Sequence, residues 1–457
     1  MARTSAVVIL AAGKGTRMKS DLPKVLHPIG NAPMLHHAMQ AASALSPELM
    51  IAVVGHRAEA VATAALDFDP GARSSVQTEQ LGTGHAVLAA REHLDAFEGD
   101  LFVLFGDTPF ISADTLARMR SARATADIVA LGFETAEPGK YGRFVLEDDD
   151  TLTAIVEAKD ATPDQLAIKI CNSGLMCGDC QTMLRLLEKV RNDNAQGEYY
   201  LTDVIALARV DGLLCQAVLC DEAETLGIND RIQLAEAEAI FQASARRNAM
   251  AEGATLVAPE TVFFSLDTKI GRDVLVHPNN VFGPTVSIGD RCEIKPFCSL
   301  TETVLDADVK IGPFAHTRGG CHLSNGARIG NFVELKNATL GEGTKAGHLS
   351  YLGDSSLGAG VNVGAGTITC NYNGFEKQHT TIGDDVFVGV QTALIAPVEV
   401  GDGAYIGTGT TVTKNVPADA LALSRTPQVN RDGLAPRLRE KFRADGERAK
   451  ARKNEAD

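Results

Sequence analysis

The chain has 457 residues, 45% of them hydrophobic and 22% charged, which is enough for two or three globular domains. Its formal net charge of −15 disfavours a nucleic-acid partner, because a phosphate backbone requires a basic protein surface, but it leaves room for a small phosphorylated substrate. No apolar run has the length of a bilayer-spanning helix, and the nine cysteines show no disulfide framework, so we expect a cytoplasmic protein without a membrane span.

Short apolar segments alternate with helical ones in the first half of the chain. The pattern predicts a helix over Leu35–Ala44 and strands over Ala6–Leu10, Ile51–Val54, Leu101–Phe105 and Ile128–Leu131. This alternation predicts an α/β fold, with a mainly parallel, Rossmann-like sheet and helices on both faces. Ligands of such sheets bind beyond the carboxyl ends of the strands, where Gly13 and Asp107 fall.

A glycine-containing loop follows the first predicted strand, with the sequence Leu10-Ala-Ala-Gly-Lys-Gly-Thr-Arg-Met18. Small residues let backbone N–H groups approach a phosphate, and Lys14, Arg17 and Lys24 supply positive charge. The spacing fits neither a Walker loop nor a GxGxxG motif, so a tight turn with solvated cations is an equally good interpretation of the loop alone.

The pattern changes twice in the second half of the chain. A strong helix former from about Ile232 to Glu252 predicts a helical linker between domains at 1–231 and 253–457. Beyond it, an aliphatic residue followed by glycine recurs at multiples of six, as in Ile270, Ile288, Ile382, Val388, Val400 and Ile406. This periodicity is typical of a parallel β-helix built from hexapeptide repeats.

Two segments depart from this periodicity. The register breaks after Val363, and Thr369–His379 is predicted to be a loop inserted into the prism, where insertions often carry function. The densely charged stretch Arg437–Asp457 is predicted to be a surface helix or a frayed tail, with no assigned chemistry. Cys177 and Cys180 form an isolated CxxC that we interpret as two buried thiols, not as a zinc or redox site.

More motifs accompany the glycine loop along the first half. They are Gln77-Thr-Glu-Gln-Leu-Gly-Thr-Gly-His85, Phe105-Gly-Asp-Thr-Pro109, Tyr141-Gly-Arg143, Ile155-Val-Glu-Ala-Lys-Asp160, Asn172-Ser-Gly174, Gly197-Glu-Tyr-Tyr-Leu-Thr-Asp203 and Gly227-Ile-Asn-Asp-Arg231. Together with the glycine loop they resemble the signature of sugar-phosphate nucleotidyltransferases. With the hexapeptide half included, nearly the whole chain resembles the bacterial bifunctional N-acetylglucosamine-1-phosphate uridylyltransferase/glucosamine-1-phosphate acetyltransferase family.

The resemblance implies two consecutive reactions. The C-terminal left-handed β-helix would transfer acetyl from acetyl-CoA to glucosamine-1-phosphate. The N-terminal domain would then transfer uridylyl from UTP to N-acetylglucosamine-1-phosphate and release pyrophosphate. The product, UDP-N-acetylglucosamine, is a precursor of peptidoglycan and lipopolysaccharide.

The resemblance also implies roles for residues of the N-terminal half. Asp107 and Asn229 would hold Mg²⁺ through oxygen ligands. Residues expected along the nucleotide, at its base or at its phosphates are Leu10, Ala11, Ala12, Gly13, Arg17, Lys24, Gln77, Gly82, Thr83, Phe105 and Gly106. Those expected at the sugar are Gly142, Glu157 and Asn172. Two simpler interpretations stay open, an ion pair of Glu157 with Lys159 and a turn role for Asn172. Phe105 stands where relatives often have tyrosine, which removes one hydroxyl contact.

For the acetyltransferase half, the resemblance places a general base at His348, since an imidazole that titrates near neutrality suits the removal of a proton from an amine. A packed or solvated histidine is the alternative. The glucosamine-1-phosphate ligands would be Arg318, Lys336, Tyr351 and Asn362, and the acetyl-CoA ligands would be Ala365, Asn371, Tyr372, Val390, Thr408 and Arg425. Val390 and Thr408 depart from the small residues often found there, including a serine at 390. The resemblance further implies a homotrimer.

Two other functions compete with the bifunctional enzyme. One is a single-activity sugar-1-phosphate nucleotidyltransferase whose β-helix is structural. The combination of His348, Arg318, Lys336 and the Asn371-Tyr372 loop counts against it. The other is a non-catalytic scaffold with a degenerate nucleotidyltransferase fold, as in some translation-factor subunits. Asp107 and Asn229, together with the intact glycine loop, count against this scaffold.

Overall fold

The computed structural model describes residues 3–147 and 151–454. The chain divides into two compact units, Met1–Thr303 and Val304–Asp457. The α-helices are α1 (Met34–Ser43), α2 (Ala58–Phe68), α3 (Thr83–Ala89), α4 (Arg91–Leu94), α5 (Ala113–Ala122), α6 (Pro163–Leu166), α7 (Cys180–Leu187), α8 (Asp203–Val210), α9 (Arg231–Ala251) and α10 (Leu434–Asn454).

The first unit contains an α/β sheet. Its strands, with the small hairpin β2–β3, are β1 (Ser5–Leu10), β2 (Pro28–Ile29), β3 (Ala32–Pro33), β4 (Leu49–Val54), β5 (Arg73–Val76), β6 (Asp100–Phe105), β7 (Ile128–Glu134), β8 (Arg143–Leu146), β9 (Leu152–Val156), β10 (Ile170–Asp179) and β11 (Cys215–Cys220). The strand order is β11-β7-β10-β6-β1-β4-β5. The predicted parallel pairing holds for β6-β1-β4-β5 and for β11-β7. Strand β10 is antiparallel to both of its neighbours, which the sequence pattern did not indicate.

Strand β1 explains why the sheet is buried on both faces. Ala6, Val8 and Leu10 pack into one hydrophobic cluster, and Val7 and Ile9 pack into another. Successive side chains of a strand point to opposite faces, so a continuous apolar run requires a layer of helices on each side. The carboxyl end of β1 therefore lies in the middle of the sheet, between those of β4 and β6.

Helix α9 follows the sheet and confirms the predicted helix between Ile232 and Glu252. Its first turn is capped by Asp230, whose carboxylate accepts hydrogen bonds from the backbone N–H groups of Ile232 and Gln233 at 2.9 and 3.0 Å. The cap fixes the position of Asn229, the residue that precedes Asp230. The domain boundaries at 231 and 253 stay a prediction, because the first unit also includes the first coils of the β-helix.

The first coils consist of short parallel strands. They are β12 (Thr255–Leu256), β13 (Val262–Phe263), β14 (Lys269–Ile270), β15 (Leu275–Val276), β16 (Asn280–Phe282), β17 (Val286–Ile288), β18 (Glu293–Ile294) and β19 (Ser299–Leu300). Ile270 and Ile288, predicted to be equivalent, pair directly between β14 and β17. The hexapeptide spacing thus predicted the register of the strands, since side chains that repeat along the sequence stack inside the coil.

Further coils form the second unit. Their strands are β21 (Lys310–Ile311), β22 (His316–Arg318), β23 (Cys321–Leu323), β24 (Arg328–Asn331), β25 (Glu334–Leu340), β26 (Lys345–His348), β27 (Tyr351–Leu357), β28 (Asn362–Val363), β29 (Ile368–Cys370), β30 (Thr380–Ile382), β31 (Phe387–Val388), β32 (Ala393–Ile395), β33 (Val398–Val400), β34 (Tyr405–Ile406), β35 (Thr411–Val412) and β36 (Leu421–Ala422), and β20 (Thr303–Leu305) begins at the unit boundary. The pairs within this unit are parallel, as in β24-β26-β28-β31-β34-β36. The arrangement is consistent with the predicted left-handed parallel β-helix.

Three remaining predictions concern single segments. The inserted loop lies between β29 and β30, and the first two residues predicted for it, Thr369 and Cys370, belong to strand β29 instead. The charged tail forms the exposed helix α10, and residues 455–457 lie outside the described residues. All nine cysteines are free, and burial raises the pKa of Cys180 to about 12, so this thiol does not ionise at neutral pH. Among the described residues, no helix combines the length and the apolar character needed to cross a membrane.

Candidate active sites

A cavity of about 340 Å³ lies at the carboxyl ends of the central strands of the first unit. Backbone hydrogen bonds set its floor: Gly106 N–H donates to Leu10 O at 3.0 Å, and Ala11 N–H donates to Val53 O at 2.8 Å. Most of the predicted nucleotide residues line it, namely Leu10, Ala11, Ala12, Gly13, Arg17, Lys24, Gln77, Gly82, Thr83, Phe105, Asp107 and Asn229. The structure therefore brings together residues that are more than 200 positions apart in the sequence.

The two predicted metal ligands converge on one point of this cavity. Lys24 Nζ forms an ion pair with Asp107 Oδ2 and donates a hydrogen bond to Asn229 Oδ1 at 2.8 Å. Arg17 Nη2 donates to the same Asn229 oxygen, also at 2.8 Å. Asn229 Nδ2 donates to Gly227 O at 3.1 Å, which directs the amide oxygen toward the cations. One carboxylate oxygen and one amide oxygen thus face a shared position that already attracts positive charge.

The segment Gln77–Thr83 lines the cavity beside the first strands. Gln77 is 4% exposed, and its Nε2 donates to Gly82 O at 3.1 Å. Gly82 has φ +114°, and a Cβ there would lie 2.6 Å from Tyr199 O, so no other residue fits without strain. Thr83 Oγ1 accepts a hydrogen bond from Leu201 N–H at 3.0 Å. These contacts hold the segment against the loop between α7 and α8, which contains Tyr199.

The three predicted sugar residues form a separate group that does not line the cavity. Asn172 N–H donates to Gly142 O at 2.9 Å, and a Cβ on Gly142 would lie 3.4 Å from Glu157 Oε1. Burial raises the pKa of the Glu157 carboxyl, and the nearby Asp160 and Asp203 add to the rise. Thr202 donates a hydrogen bond to Glu157 at 3.3 Å, so the contact of Glu157 is with Thr202 and not with Lys159.

Phe105 connects this sugar group to the cavity. Its ring lines the cavity and packs against Gly174, where a Cβ would lie 2.7 Å from the ring. Gly174 N–H in turn donates to Asn172 Oδ1 at 3.0 Å, so Asn172 does have the turn role that was left open, in addition to its place in the group. The aromatic ring at 105 therefore has a packing function that does not need a hydroxyl.

In the second unit, the register places four predicted residues at equivalent positions of successive coils. Ala346, Val363, Val388 and Ile406 are paired one with the next. The residues two positions further along are His348, Ala365, Val390 and Thr408. The coils approach closely at this corner, since a Cβ on Gly364 would lie 2.6 Å from Val390 N. His348 thus stands at one end of a row of acetyl-CoA candidates, and Arg425 donates to Thr408 O at 3.0 Å at the other end.

His348 has a partner that the sequence pattern did not reveal. Asn331 lies opposite it in the register, and Asn331 Oδ1 is 2.7 Å from His348 Nδ1. An amide oxygen only accepts, so the bond places a proton on Nδ1 and leaves the lone pair of a neutral ring on Nε2. The exposed imidazole therefore presents a base to solvent.

A cluster of cationic and polar side chains surrounds Asp354. Asn371 Nδ2 donates a short hydrogen bond to Asp354 and lies 3.4 Å from Tyr351 OH, and Lys336 Nζ is 4.0 Å from Asp354 Oδ2. Lys377 of the inserted loop lies beside Lys336, whose ammonium lowers the pKa of Lys377. An anion bound beside these two ammonium groups would relieve the repulsion between them. Sequence reasoning had missed Lys377, although it lies in the inserted loop.

The remaining predicted residues are placed around this cluster. Arg318 pairs in register with Lys336, and its guanidinium donates to Glu334 Oε1 at 2.6 Å. Asn362 lies on a different column of strands, in register with Lys345 and Phe387. Tyr372, on the inserted loop, is 62% exposed. The structure thus groups Arg318, Lys336, Tyr351 and Asn371, and does not join Asn362 or Tyr372 to them.

The first unit has a glycine-containing turn, of the kind that binds phosphate, at the ends of parallel strands. The second unit is a prism of hexapeptide coils with an exposed histidine. Together these features define a nucleotidyltransferase joined to an acyltransferase. Two family models match accordingly. Residues 7–166 match the MobA-like NTP transferase domain, and residues 267–302 and 379–414 match the bacterial transferase hexapeptide with six repeats.

Full-length relatives narrow the class to one family. "Bifunctional protein GlmU" of Jannaschia sp. (strain CCS1) is 50% identical over 442 residues, 97% of each chain. The proteins of that name from Ruegeria sp. (strain TM1040) and Ruegeria pomeroyi (strain ATCC 700808 / DSM 15171 / DSS-3) are 52% and 55% identical over 441 residues, covering 96% of this chain and 98% of theirs. The chain belongs to the bifunctional GlmU family.

Membership confirms the predicted function at the level of the reaction. The chain is an enzyme of UDP-N-acetylglucosamine synthesis, with a nucleotidyltransferase domain that uses UTP and a hexapeptide acetyltransferase domain that uses acetyl-CoA. The single-activity enzyme and the non-catalytic scaffold are therefore excluded.

Proposed function

We propose that the cavity of the first unit is the uridylyl transfer site and that the row beginning at His348 is the acetyl transfer site. The observation that carries the first assignment is the convergence of Asp107 and Asn229 on the ammonium group of Lys24, beside the glycine turn. The second rests on the equivalent positions of His348, Ala365, Val390 and Thr408 in successive coils.

The donor set of the first site fits Mg²⁺. A carboxylate and an amide oxygen are hard ligands of the kind this ion prefers, and few protein ligands leave positions for waters and phosphates. Among the described residues, no cluster of three His, Cys, Asp or Glu side chains suits another metal. Bound Mg²⁺ would supply neutralisation of the charge on the UTP phosphates. Lys24, released from Asp107 and Asn229, would then be free to contact a phosphate.

Residues of the chain would do the rest of the uridylyl transfer. The glycine turn and Arg17 would hold the triphosphate, and the Glu157 group would hold the sugar hydroxyls and the acetamido group. A phosphate oxygen of N-acetylglucosamine-1-phosphate attacks the α-phosphorus of UTP, the bond to the β-phosphate breaks, and pyrophosphate leaves. Positioning and charge stabilisation suffice for such a displacement, so no covalent enzyme intermediate is needed.

In the second site, Lys336 and Lys377 would hold the phosphate of glucosamine-1-phosphate, with Arg318 and Tyr351 beside them. Arg318 would exchange its contact with Glu334 for the phosphate. The amine attacks the thioester carbonyl of acetyl-CoA, His348 Nε2 takes the proton, and the coenzyme leaves as a thiolate. The Asn331 bond keeps Nε2 unprotonated in the neutral ring, as this step requires.

A homotrimer is supported by an exposed apolar column on the second unit. Phe314, Phe332 and Leu349 lie at equivalent positions of successive coils and are 44%, 54% and 61% exposed. The two phenylalanine rings stack with centroids 5.0 Å apart. A contiguous apolar surface of this kind marks an interaction site, and a second copy of the chain is its natural occupant. We also infer a cytoplasmic location, which the free thiols and the donors UTP and acetyl-CoA support.

An omission assay tests both site functions. Purified protein receives glucosamine-1-phosphate, acetyl-CoA, UTP and Mg²⁺, and each component is then left out while free thiol and pyrophosphate are followed. Chelation of the metal should stop pyrophosphate release and spare thiol release. If metal removal stops thiol release as well, or leaves pyrophosphate release unchanged, the metal assignment is wrong.

The trimer is tested by Phe332→Glu. Sedimentation velocity should show loss of the trimer and acetyl transfer should fall with it, while uridylyl transfer persists. Val210→Glu, at an 84% exposed position of α8, is the matched control and should leave the trimer intact. A Phe332→Glu protein that stays trimeric would remove this column from the interface.

A further inference from the structure

A histidine beside the nucleotide cavity, in contact with the cavity-lining Gln77, has no role in the sites described above. His85 lies on α3, two residues after the predicted base-contacting Thr83. Its Nδ1 is 3.1 Å from Gln77 Nε2. We propose that His85 is a positioning residue that fixes the orientation of the Gln77 amide and thereby selects uracil over cytosine. This inference rests on the proposed role of Gln77 at the base.

The orientation of the Gln77 amide follows from its two contacts. Gly82 O is a carbonyl and can only accept, so the amide atom that faces it at 3.1 Å must be the NH₂ group. The same nitrogen directs its second hydrogen to His85 Nδ1, which accepts in the neutral ring. Both hydrogens of Nε2 are thereby used. The described part of the chain forms no hydrogen bond to Gln77 Oε1, and Gln77 lines the cavity.

Both acceptors are themselves held in place. Tyr199 N–H donates to Leu81 O, and Gly84 N–H donates to Tyr199 O, each at 2.8 Å, on either side of Gly82. The His85 ring lies against the Tyr199 ring, with centroids 6.5 Å apart. The Gln77 backbone is fixed by a hydrogen bond from its N–H to Val54 O at 2.8 Å. The amide therefore cannot rotate without breaking at least one of its bonds.

A fixed Oε1 acceptor distinguishes the two pyrimidines. Position N3 of uracil carries a hydrogen and donates, whereas N3 of cytosine has a lone pair and accepts. An amide oxygen at this place pairs with uracil and leaves cytosine with two opposed acceptors, and an unpaired buried polar group is costly. Without His85, one restraint on the amide is lost, and its NH₂ group can turn toward N3 of cytosine.

The test compares UTP with CTP as the nucleotide donor. His85→Phe keeps a ring of similar size beside Tyr199 but removes the acceptor. We expect the ratio of kcat/KM for UTP to that for CTP to fall about fivefold, the value of one neutral hydrogen bond. His85→Asn places an amide oxygen near the position of Nδ1 and should restore the ratio to within about twofold of the parent enzyme. Acetyl transfer, measured on the same samples, shows that the variants are folded.

The outcomes separate this inference from the proposed function. If Gln77→Ala lowers the UTP/CTP ratio and His85→Phe does not, His85 has no positioning role. Equal ratios for His85→Phe and His85→Asn, both below the parent, would also overturn the inference, because then the acceptor is not what matters. If Gln77→Ala leaves the ratio unchanged, or the parent enzyme releases no pyrophosphate from UTP, the proposed nucleotide site fails and the inference fails with it.

Discussion

The two sites are built in opposite ways. The proposed nucleotide site is a cavity lined by the ends of several strands, by a glycine turn and by Asn229, which precedes the cap of α9. The proposed acetyl transfer site is a row of equivalent positions on successive coils, and three of its four members, His348, Val390 and Thr408, are exposed. The first surrounds its ligand with one chain, whereas the second presents a surface that another chain could cover.

Because of this difference, we expect the two activities to respond differently to substitutions and to loss of the trimer. The activity of a cavity whose charged groups contact one another depends on single substitutions within it, but not on the oligomeric state of the protein. A row on a prism depends on the register of the coils and, under the proposed trimer, on a neighbouring copy. The sites also share no described residue, so each should be removable alone.

The largest expected effect is that of Asp107→Ala. Loss of the carboxylate that faces Lys24 should lower uridylyl transfer about 1000-fold or more, because charge stabilisation dominates such reactions. Pyrophosphate release measures it. Acetyl transfer should be unchanged, and Asp114→Ala, a surface carboxylate on α5, should alter neither activity. Loss of both activities in Asp107→Ala would mean that the two sites are not independent.

His348→Ala should have the reverse pattern. Removal of the general base should lower acetyl transfer by about 100- to 10,000-fold, measured as free thiol released from acetyl-CoA. Uridylyl transfer should persist. His322→Ala removes another exposed histidine of the same prism and serves as the control. A trimeric His348→Ala protein with full acetyl transfer would show that another group takes the proton.

A smaller effect is expected at Asn331. Asn331→Ala should lower acetyl transfer about tenfold, since the imidazole loses the bond that sets its tautomer. Asn331→Asp places a carboxylate beside the ring and favours its protonated form, so the acid limb of the pH–rate profile should move to higher pH by about one unit. Asn430→Ala is the exposed control. An unmoved limb in Asn331→Asp would contradict the role given to Asn331.

The smallest expected effect concerns the contribution of Glu157, one of the predicted sugar-binding residues, to the stability of the folded protein. Because burial raises the pKa of Glu157, the folded state disfavours its charged form. The resulting loss of stability is absent below the pKa of unfolded Glu, about 4.3, and grows as the pH rises through the folded pKa. Glu157→Gln should therefore raise the thermal unfolding midpoint by about 2 °C at pH 8 and leave it unchanged near pH 4. Calorimetry at the two pH values measures this, and a lower midpoint at pH 8 would contradict it.

The fold could be predicted to different depths in the two halves. Apolar runs identified β1, β4, β6 and β7, because strands buried on both faces need continuous hydrophobic sequence. The antiparallel direction of β10 could not be predicted, since direction depends on connections and not on the composition of the strand. In the β-helix, one repeating signal predicted the register directly, as the pair Ile270 and Ile288 shows.

The residues of the candidate sites likewise differ in how far the sequence predicts their positions. Motifs next to strand ends pointed to Gly13 and Asp107, because position along the strand already implies position in the fold. The Asn331–His348 bond and the contact of Lys377 with Lys336 were not predictable, because neither residue has a motif of its own and only the stacking of coils brings the partners together. The contact of Gln77 with His85 likewise depends on the course of the loop between them.

A mixing experiment tests the independence of the two sites most directly. Purified Asp107→Ala and His348→Ala proteins are supplied with glucosamine-1-phosphate, acetyl-CoA, UTP and Mg²⁺, first separately and then together, and UDP-N-acetylglucosamine is measured. Neither protein alone should form this product, whereas the mixture should, since one variant makes the acetylated sugar phosphate and the other uridylylates it. A mixture as inactive as its components would contradict two separate, self-sufficient sites.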